Sequence, residues 1–461
     1  MRIDVAAIVL ALALLMAIAY RGLPVILFAP LCAALAVGLS GGPLLPAYTE
    51  VFMAGAAGYV RSFFPLFLLG AVFGRLMEAS GAVGSIAAVI SRKLGPRRST
   101  LAVVLACGVL TYGGVSLFVV AFAVYPFAAA LYREAGIPKR LIPGAVALGA
   151  FTLTMDALPG SPQIQNLIPA RYFGTDAYAA PWAGSLGGAA VLAGGLVWLE
   201  SRRARAAAAG EGYGTGHLNE PEPGPERARP HVVMAALPLA LVLGGNFVLS
   251  RTRWSVAGWY PPELLRDEFP AVSVPAAAPV WALTVALLMG IAAALAVGLG
   301  RWRGRLPSSL SAATSGALLA IFNTASEVGF GNTVKTLPGF RVIRDGVFLV
   351  SRQVLVSEAV AVNVLAGITG SASGGLSIAL DVMGSRYLEL ARAQAISPEL
   401  LHRVAAMASG GMDTLPHNGA VITLLAITGL THRQSYLDIF AITVLKTLTV
   451  FAVAFAASAL S

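Results

Sequence analysis

Charged residues are scarce in this 461-residue chain: only 12% of its positions are Asp, Glu, Lys or Arg, whereas 57% are hydrophobic. An ordinary globular domain carries about 25% charged residues. A soluble protein of this length needs more surface charge than this chain can supply, so the composition excludes an ordinary soluble enzyme or binding domain. With a mean hydropathy of +0.77, the sequence predicts an all-α polytopic membrane protein.

Cysteine and histidine are also rare, which excludes several kinds of site. Cys32 and Cys107 lie in apolar segments and are too few for a disulfide framework. The five histidines are scattered without zinc-site spacing, and no P-loop or dinucleotide-binding glycine motif is present. We therefore expect no metal, no cofactor and no enzymatic activity. Lys and Arg in cytoplasmic loops explain the net charge of +10 better than nucleic-acid binding does.

Apolar runs long enough to cross a bilayer core of about 30 Å give ten candidate spans. Two further apolar stretches, 99–133 and 354–390, are interrupted by the clusters TYGGVS and TGSASGGLS. Each stretch is too short to cross and return, so we predict re-entrant hairpins at about 99–125 and 354–384. Two ordinary spans kinked by glycine are the alternative. The ten spans are 4–20, 22–40, 50–77, 140–170, 181–200, 232–249, 279–300, 307–338, 400–430 and 435–459.

The long hydrophilic segment 201–231 divides the chain near its middle. It is rich in Gly, Pro, Glu and Arg, and its composition predicts a flexible cytoplasmic linker. The first repeat is then 1–200 and the second is 232–461. Lys and Arg clusters favour a topology with five crossings in each half and both termini outside. Because five is an odd number, the two halves point in opposite directions, which is the inverted-repeat architecture of secondary transporters.

Three sequence landmarks recur in the same order in the two halves. The third span carries a glutamate, which is Glu78 in the first half and Glu327 in the second. The hairpin tips, YGGVSLFV and SGGLSIAL, share Gly-Gly-x-Ser. A later span contains Met-Asp-x-Leu-Pro, which begins at Met155 and again at Met412. Three shared landmarks in one order support the repeat.

The Met-Asp-x-Leu-Pro motif predicts a helix that is broken at mid-membrane in each half, at about 140–170 and 400–430, because proline ends a helix. A broken helix exposes unpaired N–H groups and a positive dipole end, which favour an anion. Two breaks and two hairpin tips therefore predict a central site for a small carboxylate. A packed histidine without a functional role is the alternative for His417. The candidate substrate-binding residues are Tyr112, Gly113, Gly114, Ser116, Ser161, Gln163, Ser371, Ser373, Gly374, Gly375, His417 and Asn418.

Three acidic residues at membrane depth are candidate proton carriers, because ionisable residues within a bilayer are costly and usually serve a site. Glu327 is the favoured carrier, and a structural ion pair with Lys335 or Arg341 is its alternative. Asp156 and Asp413 are expected to order the broken helices, and one of them is a second candidate for the coupled proton. The alternative for both aspartates is a helix cap. The residues expected to support Glu327 are Asn323, Thr324 and Asn332.

The stretches NTASEVGFGNTVKTLPGF (323–340) and MDTLPHNGAVITLLAITGLTHRQSYLDIFAITVLKT (412–447) resemble the gluconate permease family of the ion-transporter superfamily. The resemblance implies proton-coupled uptake of hydroxy-carboxylates across the bacterial inner membrane, an elevator-type movement of a transport domain against a scaffold, and a homodimer.

Gluconate carriers of that family show a His-Val-Asn-Asp-Ser-Gly type phrase at the second break, where this chain has DTLPHNGA. In this respect the chain is similar to the D-3-hydroxybutyrate permease branch, so the resemblance implies a short hydroxy- or keto-monocarboxylate, with D-3-hydroxybutyrate as the first candidate. A symporter of gluconate or another sugar acid with protons, a sodium-coupled carboxylate carrier and an anion channel are the alternatives.

Overall fold

The computed structural model of the chain describes residues 2–21, 23–220, 230–260, 273–299, 302, 306–416 and 418–460. These residues form helices and no strand, which confirms the predicted all-α class. Five of the helices are long and apolar enough to cross a membrane. They are Leu44–Ala79, Pro181–Ala208, Val232–Arg251, Ala277–Val297 and His432–Ala459.

The two halves of the chain have closely similar orders of helices. The first half contains α1 (Arg2–Tyr20), α2 (Val25–Leu39), α3 (Leu44–Ala79), α4 (Ala82–Leu94), α5 (Ser99–Tyr112), α6 (Leu117–Glu134), α7 (Ile142–Ala150), α8 (Leu153–Asp156), α9 (Ile168–Phe173) and α10 (Pro181–Ala208). The second half contains α11 (Val232–Arg251), α12 (Val274–Val297), α13 (Leu306–Thr336), α14 (Pro338–Val350), α15 (Val354–Thr369), α16 (Ala372–Ala393), α17 (Pro398–Ser409), α18 (Gly419–Thr428) and α19 (His432–Leu460).

Helices α4 and α14 were not predicted from the sequence. Each has 13 residues, follows the third long helix of its half and precedes the hairpin. A span needs about 20 apolar residues, so a search for spans passes over helices of this length. Their presence in both halves extends the similarity beyond the three sequence landmarks.

Helix pairs occupy both predicted hairpin regions, and the two helices of each pair pack against each other: α5 with α6, and α15 with α16. The arms are longer than predicted, since α6 ends at Glu134 and α16 at Ala393. The second tip also differs from the prediction. The chain turns at Gly370, which has a φ of +65°, and Ser371 caps α16 by accepting a hydrogen bond from the N–H of Gly374 at 3.1 Å. The Gly-Gly-x-Ser landmark of this half therefore lies in the first turns of a helix.

The long helices of the two halves interleave. Helix α3 packs against α13, its counterpart in the other half. Helix α2 packs on α13, and α12 packs on α3 in the reciprocal arrangement. Helix α1 likewise contacts α14, and α11 contacts α4. Each half therefore supplies partners for the other half's third and fourth helices.

The broken regions interlock in the same reciprocal way. Helix α9, which follows the first break, packs on α16 of the second hairpin. Helix α18, which follows the second break, packs on α6 of the first hairpin. The long helices α10 and α19 also pack against each other. The breaks and tips of both halves thus form one packed unit.

The segment predicted as a flexible linker, 201–231, is structured over much of its described part. Helix α10 continues past the predicted start of the linker, and the chain after it pairs with basic residues that precede α7. Arg140 Nε lies 2.7 Å from Glu211 Oε1, and Lys139 Nζ lies 2.8 Å from Glu220 Oε1. These ion pairs join residues far apart in the sequence, so the local composition gave no sign of them.

Candidate functional site

The first break is closed by its own polar side chains. The Ser161 hydroxyl donates to the Thr154 carbonyl at 2.6 Å, and the Asn166 amide donates to the Ser161 carbonyl at 2.9 Å. These bonds satisfy backbone acceptors that an interrupted helix leaves free. Ser161 is fully buried, so its hydroxyl already has a structural partner.

The first hairpin tip is tied to the first break. The Gln163 amide donates to the Thr111 carbonyl at 2.8 Å, and the Tyr112 hydroxyl donates to the Pro159 carbonyl at 2.8 Å. Gly114 has a φ of +95°, a left-handed conformation that glycine adopts without strain.

Tight packing accounts for the other glycine of this tip. A Cβ on Gly113 would lie 2.4 Å from the Leu239 side chain of α11. Ser116 follows as the residue before α6, and its backbone lies near Gly74 of α3. The structure therefore brings Tyr112, Gly113, Gly114 and Ser116 to one turn, as predicted from the sequence, and sets that turn against the long helices.

The second tip is tied to the second break in a similar way. The Asn418 amide donates to the Gly370 carbonyl at 2.7 Å, while its Oδ1 accepts from the N–H groups of Ala420 and Val421 at 2.6 and 3.1 Å. Asn418 therefore caps α18 and holds the hairpin at once. His417, the other candidate predicted here, lies outside the described residues.

Glu327 faces the second tip from α13. It is buried, and a Cβ on Gly374 would lie 1.8 Å from its Oε2 atom. Glycine is needed at this position because the carboxyl group lies directly over the first turn of α16. The ion pair considered as an alternative forms elsewhere: Lys335 Nζ lies 2.6 Å from Asp381 Oδ2.

Several polar atoms around Glu327 are buried without a hydrogen-bond partner among the described residues. They are Glu327 Oε2, the Tyr59 hydroxyl of α3, the Ser377 hydroxyl and Asn323 Oδ1. Tyr59 interacts electrostatically with Glu327, and both Ser373 and Ser377 lie within reach of its hydroxyl. Buried polar groups are rarely left unpaired in proteins, and here the Ser371 hydroxyl lies beside the Glu327 carboxyl group, as Ser373 and Ser377 lie beside the Tyr59 hydroxyl.

The other residues expected to support Glu327 make contacts within α13. The Thr324 hydroxyl donates to the Ala320 carbonyl at 3.2 Å, and the Asn332 amide donates to the Val328 carbonyl at 3.0 Å. Asn332 also packs against α3, where a Cβ on Gly55 would lie 2.7 Å from its amide nitrogen. Asn332 therefore supports the α3–α13 contact.

Glu78 is not the structural counterpart of Glu327, although the sequence landmarks paired them. It lies one residue before the end of α3 and forms an ion pair with Arg75 at 2.7 Å. When α3 and α13 are aligned at their last residues, Ala79 and Thr336, Gly70 is the residue that matches Glu327. The alignment is supported by a Phe-Gly pair that begins three residues later in both helices, Phe73-Gly74 and Phe330-Gly331. At this position of the third helix, a carboxyl group is therefore present in α13 and absent from α3.

The aspartates of the repeated motif lie near one lysine that sequence reasoning missed. Lys446 of α19 forms an ion pair with Asp156 and donates to the Phe151 carbonyl at 3.0 Å. Asp413 lies within electrostatic range of both Lys446 and Asp156. A Cβ on Gly410 would lie 1.8 Å from Lys446 Nζ. The sequence feature that could have revealed Lys446 is its place in the middle of the apolar predicted span 435–459.

Arg403 fixes the chain that follows the first break. It is fully buried on α17 and donates to the carbonyls of Ala177 and Ala179, to the Asp156 carbonyl and to Asn166 Oδ1, at 2.7 to 3.2 Å. Arg403 was not predicted as a site residue, and it lies near the start of the predicted span 400–430. Neither Asp156 oxygen bonds a backbone N–H among the described residues, so that aspartate is not acting as a cap.

Comparison with known proteins identifies the family. Residues 1–178 match the GntP family permease family. The chain is also 51% identical over 460 residues to the "uncharacterized transporter YxjC" of Bacillus subtilis (strain 168), with 97% of each chain covered. The chain belongs to the GntP permease family. Family membership confirms the predicted resemblance, and this GntP permease is a multi-pass membrane transporter and not an enzyme.

Two further comparisons cover different extents of the GntP permease. It is 35% identical over 106 residues to the inner membrane permease YgbN of Escherichia coli (strain K12), which is 22% of each chain. It also shares its fold with the YdaH transporter of Alcanivorax borkumensis, whose crystal structure reveals an unusual topology. The TM-score is 0.52 at 19% identity, over 88% of this chain and 86% of YdaH.

A fourth buried acid of the GntP permease, Glu358, was also missed from the sequence. It lies on α15, is fully buried, and neither of its carboxyl oxygens has a hydrogen-bond partner among the described residues. A lone glutamate in the apolar run VLVSEAVAVNVLAG was the available signal.

The buried charges around the tips and breaks are unequal in number. Four buried carboxyl groups in α8, α13, α15 and the second break outnumber two buried cations, Lys446 and Arg403, and of the four only Asp156 forms an ion pair with one of these cations. An uncompensated charge in a protein interior costs several kcal/mol, so the four carboxyl groups cannot all be ionised together without a bound counter-ion. The four are Asp156, Glu327, Glu358 and Asp413.

Proposed function

We propose that this GntP permease takes up a short hydroxy-carboxylate together with a proton, by alternating access across the inner membrane of a bacterium. D-3-hydroxybutyrate is the first candidate substrate. The observation that carries the proposal is the cluster of unpaired polar atoms between α3, α13 and the second hairpin tip, next to the Glu327 carboxyl group.

The chemistry of this cluster suits a small hydroxy acid. Tyr59 and Ser377 offer hydroxyl groups, and Asn323 offers an amide oxygen. The N-terminus of α16, capped by Ser371, lies beside them, and a helix N-terminus favours a negative group. A hydroxyl and a carboxylate on one short carbon chain would pair with these neighbours.

The excess of buried acids supports coupling to protons. A substrate carboxylate entering a site that already holds Glu327 adds a further negative charge, and a proton taken up with it restores the balance. Glu327, Asp156 and Asp413 are the groups proposed to carry that proton. Sodium coupling would instead need a set of oxygen ligands that hold a cation.

The interleaved packing supports a division into a scaffold and a transport domain. In this proposal α1–α3 and α11–α13 form the scaffold of two inverted repeats. The two hairpins and two broken helices, with α10 and α19, form a transport domain that moves in an elevator-type cycle. Helices α4 and α14 connect the two parts in each half. The assembly proposed from the family resemblance is a homodimer.

Uptake by the purified full-length protein in proteoliposomes tests this function. We expect labelled D-3-hydroxybutyrate to accumulate when the outside is more acidic, and unlabelled acids that share the site to compete. The competitors are gluconate, glycerate, lactate and acetoacetate. Uptake that ignores the pH gradient but requires sodium would favour the sodium-coupled alternative, and uptake of none of these acids would overturn the proposal.

A further inference from the structure

Lys446 of α19 lies close to the aspartates of both breaks. It bonds Asp156 of the first break and lies within electrostatic range of Asp413 of the second. We propose that Asp413 is the group that binds and releases the coupling proton, because it competes with Asp156 for the single ammonium group of Lys446. This inference rests on the proposed function and deepens it.

The charge of this three-residue centre is unbalanced by one. Lys446 is the cation that forms an ion pair in this centre, so with both aspartates ionised the three residues carry a net charge of −1, which the more distant Arg403 offsets in part. One proton from water forms an O–H bond with one carboxylate and brings the centre to zero. Unpaired charge in a protein interior is expensive. The centre with one protonated aspartate is therefore favoured over the centre with both aspartates ionised, and the two forms differ by one proton.

Contacts in the structure select Asp413 as the carboxylate that takes the proton. Lys446 forms an ion pair with Asp156, whereas Asp413 forms no ion pair among the described residues and its carboxyl group is bonded by its own backbone N–H. Arg403 also acts electrostatically on Asp156 and donates to its backbone carbonyl. Lys446 and Arg403 both favour the ionised form of Asp156, whereas of these two cations Lys446 alone influences Asp413, and Lys446 is already paired with Asp156.

The other groups near Asp413 leave this assignment intact. From α19, Lys446 is the charged neighbour, and the hydroxyl of Tyr436 donates to the Thr414 carbonyl at 3.1 Å. From α8, the charged neighbour is Asp156. Helix α15 presents Asn363, which is uncharged and packs against Gly411.

The more distant charged groups do not act on Asp413 directly. Arg403 of α17 interacts with Asp156, and Glu358 of α15 interacts with Tyr387 of α16. Glu327 has no cation at ion-pair distance among the described residues, so no neighbouring charge is exchanged when it titrates. Lys446 distinguishes Asp156 and Asp413 from Glu327 and Glu358, and of the two aspartates Asp413 is the one without an ion pair among the described residues.

Glycine at position 410 makes this centre possible. A Cβ there would lie 1.8 Å from Lys446 Nζ and 2.0 Å from Asp156 Oδ2. The second break therefore approaches the lysine–aspartate pair more closely than any residue with a side chain would allow, and Asp413 follows three residues later.

Infrared difference spectroscopy of the purified full-length protein without substrate tests the proton site directly. We expect a carbonyl band of a protonated carboxylic acid that titrates with pH, is present in the wild type and in Glu389→Gln, and is absent in Asp413→Asn. Glu389 belongs to an exposed ion pair with Arg386. In Lys446→Gln the band should persist to higher pH, because the cation that favours ionisation is gone. A band that survives Asp413→Asn but is lost in Glu327→Gln would overturn the inference.

Uptake measurements separate this inference from the proposed function. A gradient of about one pH unit is worth about 1.4 kcal/mol and can drive about tenfold accumulation for each coupled proton. We expect Asp413→Asn to lose this response to the gradient. If wild-type protein transports none of the tested acids, the proposed function fails while the infrared result is still decisive. If Asp413→Asn accumulates D-3-hydroxybutyrate as the wild type does, only the inference fails.

Discussion

Arg403 shows how a single buried residue holds the broken helices together. Its guanidinium group donates hydrogen bonds to the carbonyls of Ala177 and Ala179 and to the side-chain oxygen of Asn166. An arginine has five N–H donors in a planar fork, and here they replace the helical hydrogen bonds that the first break removes. The same residue places a positive charge beside Asp156.

Replacing Arg403 by methionine should therefore destabilise the protein strongly. The substitution leaves several buried acceptors without donors and removes a cation from Asp156, and breaking a buried charged network costs about 3–5 kcal/mol. Thermal unfolding in detergent, followed by tryptophan fluorescence, measures the change in Tm. Arg386→Met is the matched control, because Arg386 is exposed and its ion pair is with the exposed Glu389 one helical turn away. Equal Tm values for the two variants would contradict this role for Arg403.

The sequence predicted three of the buried acids, Asp156, Glu327 and Asp413, but neither Glu358 nor the buried cations. Asp156 and Asp413 stand out because they belong to a repeated motif next to a proline. Lys446 and Arg403 belong to no repeat, and charges in or beside predicted spans are most simply assigned to the membrane boundary. Only tertiary packing shows that both cations point into the interior.

At the scale of helices, the second hairpin depends on one close backbone approach. A Cβ on Gly375 of α16 would lie 2.2 Å from the backbone nitrogen of Ala366 on α15. Backbone atoms cannot move aside as the end of a flexible side chain can, so the two arms touch only because glycine is present. The same contact positions Gly374 beneath Glu327.

Gly375→Ala should therefore separate the arms of the hairpin and impair both stability and uptake. Overpacking of a well-packed interior typically costs about 1–3 kcal/mol, and displacement of the tip should also reduce D-3-hydroxybutyrate uptake. Gly316→Ala on α13 is the control, because a Cβ there meets no atom within 4 Å and alanine favours a helix. Gly375→Ala protein with wild-type Tm and uptake would show that the hairpin does not need this contact.

The chain that follows α10 offers a test of an element that the sequence suggested was flexible. The hydrogen bond from Arg140 lowers the pKa of Glu211. A lowered pKa means that the ion pair contributes its stability above the ordinary glutamate pKa of about 4.3 and loses it as the pH falls through the lowered value. The docked segment should therefore detach in acid.

A spin label at Gly212→Cys can follow this detachment. A Cβ at position 212 meets no atom within 4 Å, and both native cysteines are buried. We expect label mobility to rise as the pH falls from about 7 to about 3, and Glu211→Gln to raise it already at neutral pH. Mobility that stays constant in both experiments would show that the ion pair does not hold the segment.

At the scale of the whole molecule, two of the three shared landmarks, the glycine-rich tips and Met-Asp-x-Leu-Pro, occupy corresponding places in the two orders of helices, whereas Glu78 and Glu327 do not. The landmarks did not predict α4 and α14, which are too short to be recognised as spans, or the exact position of the second tip, which depends on Ser371 capping α16. The packing of each half against the other could not be predicted either. It depends on contacts between residues far apart in the sequence, and such contacts leave no local pattern.

If transport of the acid is coupled to a proton, the two fluxes must occur together, and they can be recorded simultaneously. Proteoliposomes that contain an internal pH indicator are given labelled D-3-hydroxybutyrate, with and without sodium. The account predicts entry of about one proton with each molecule of acid, independent of sodium, because the three-residue centre exchanges a single proton. Entry of the acid without acidification of the interior, or only when sodium is present, would contradict it.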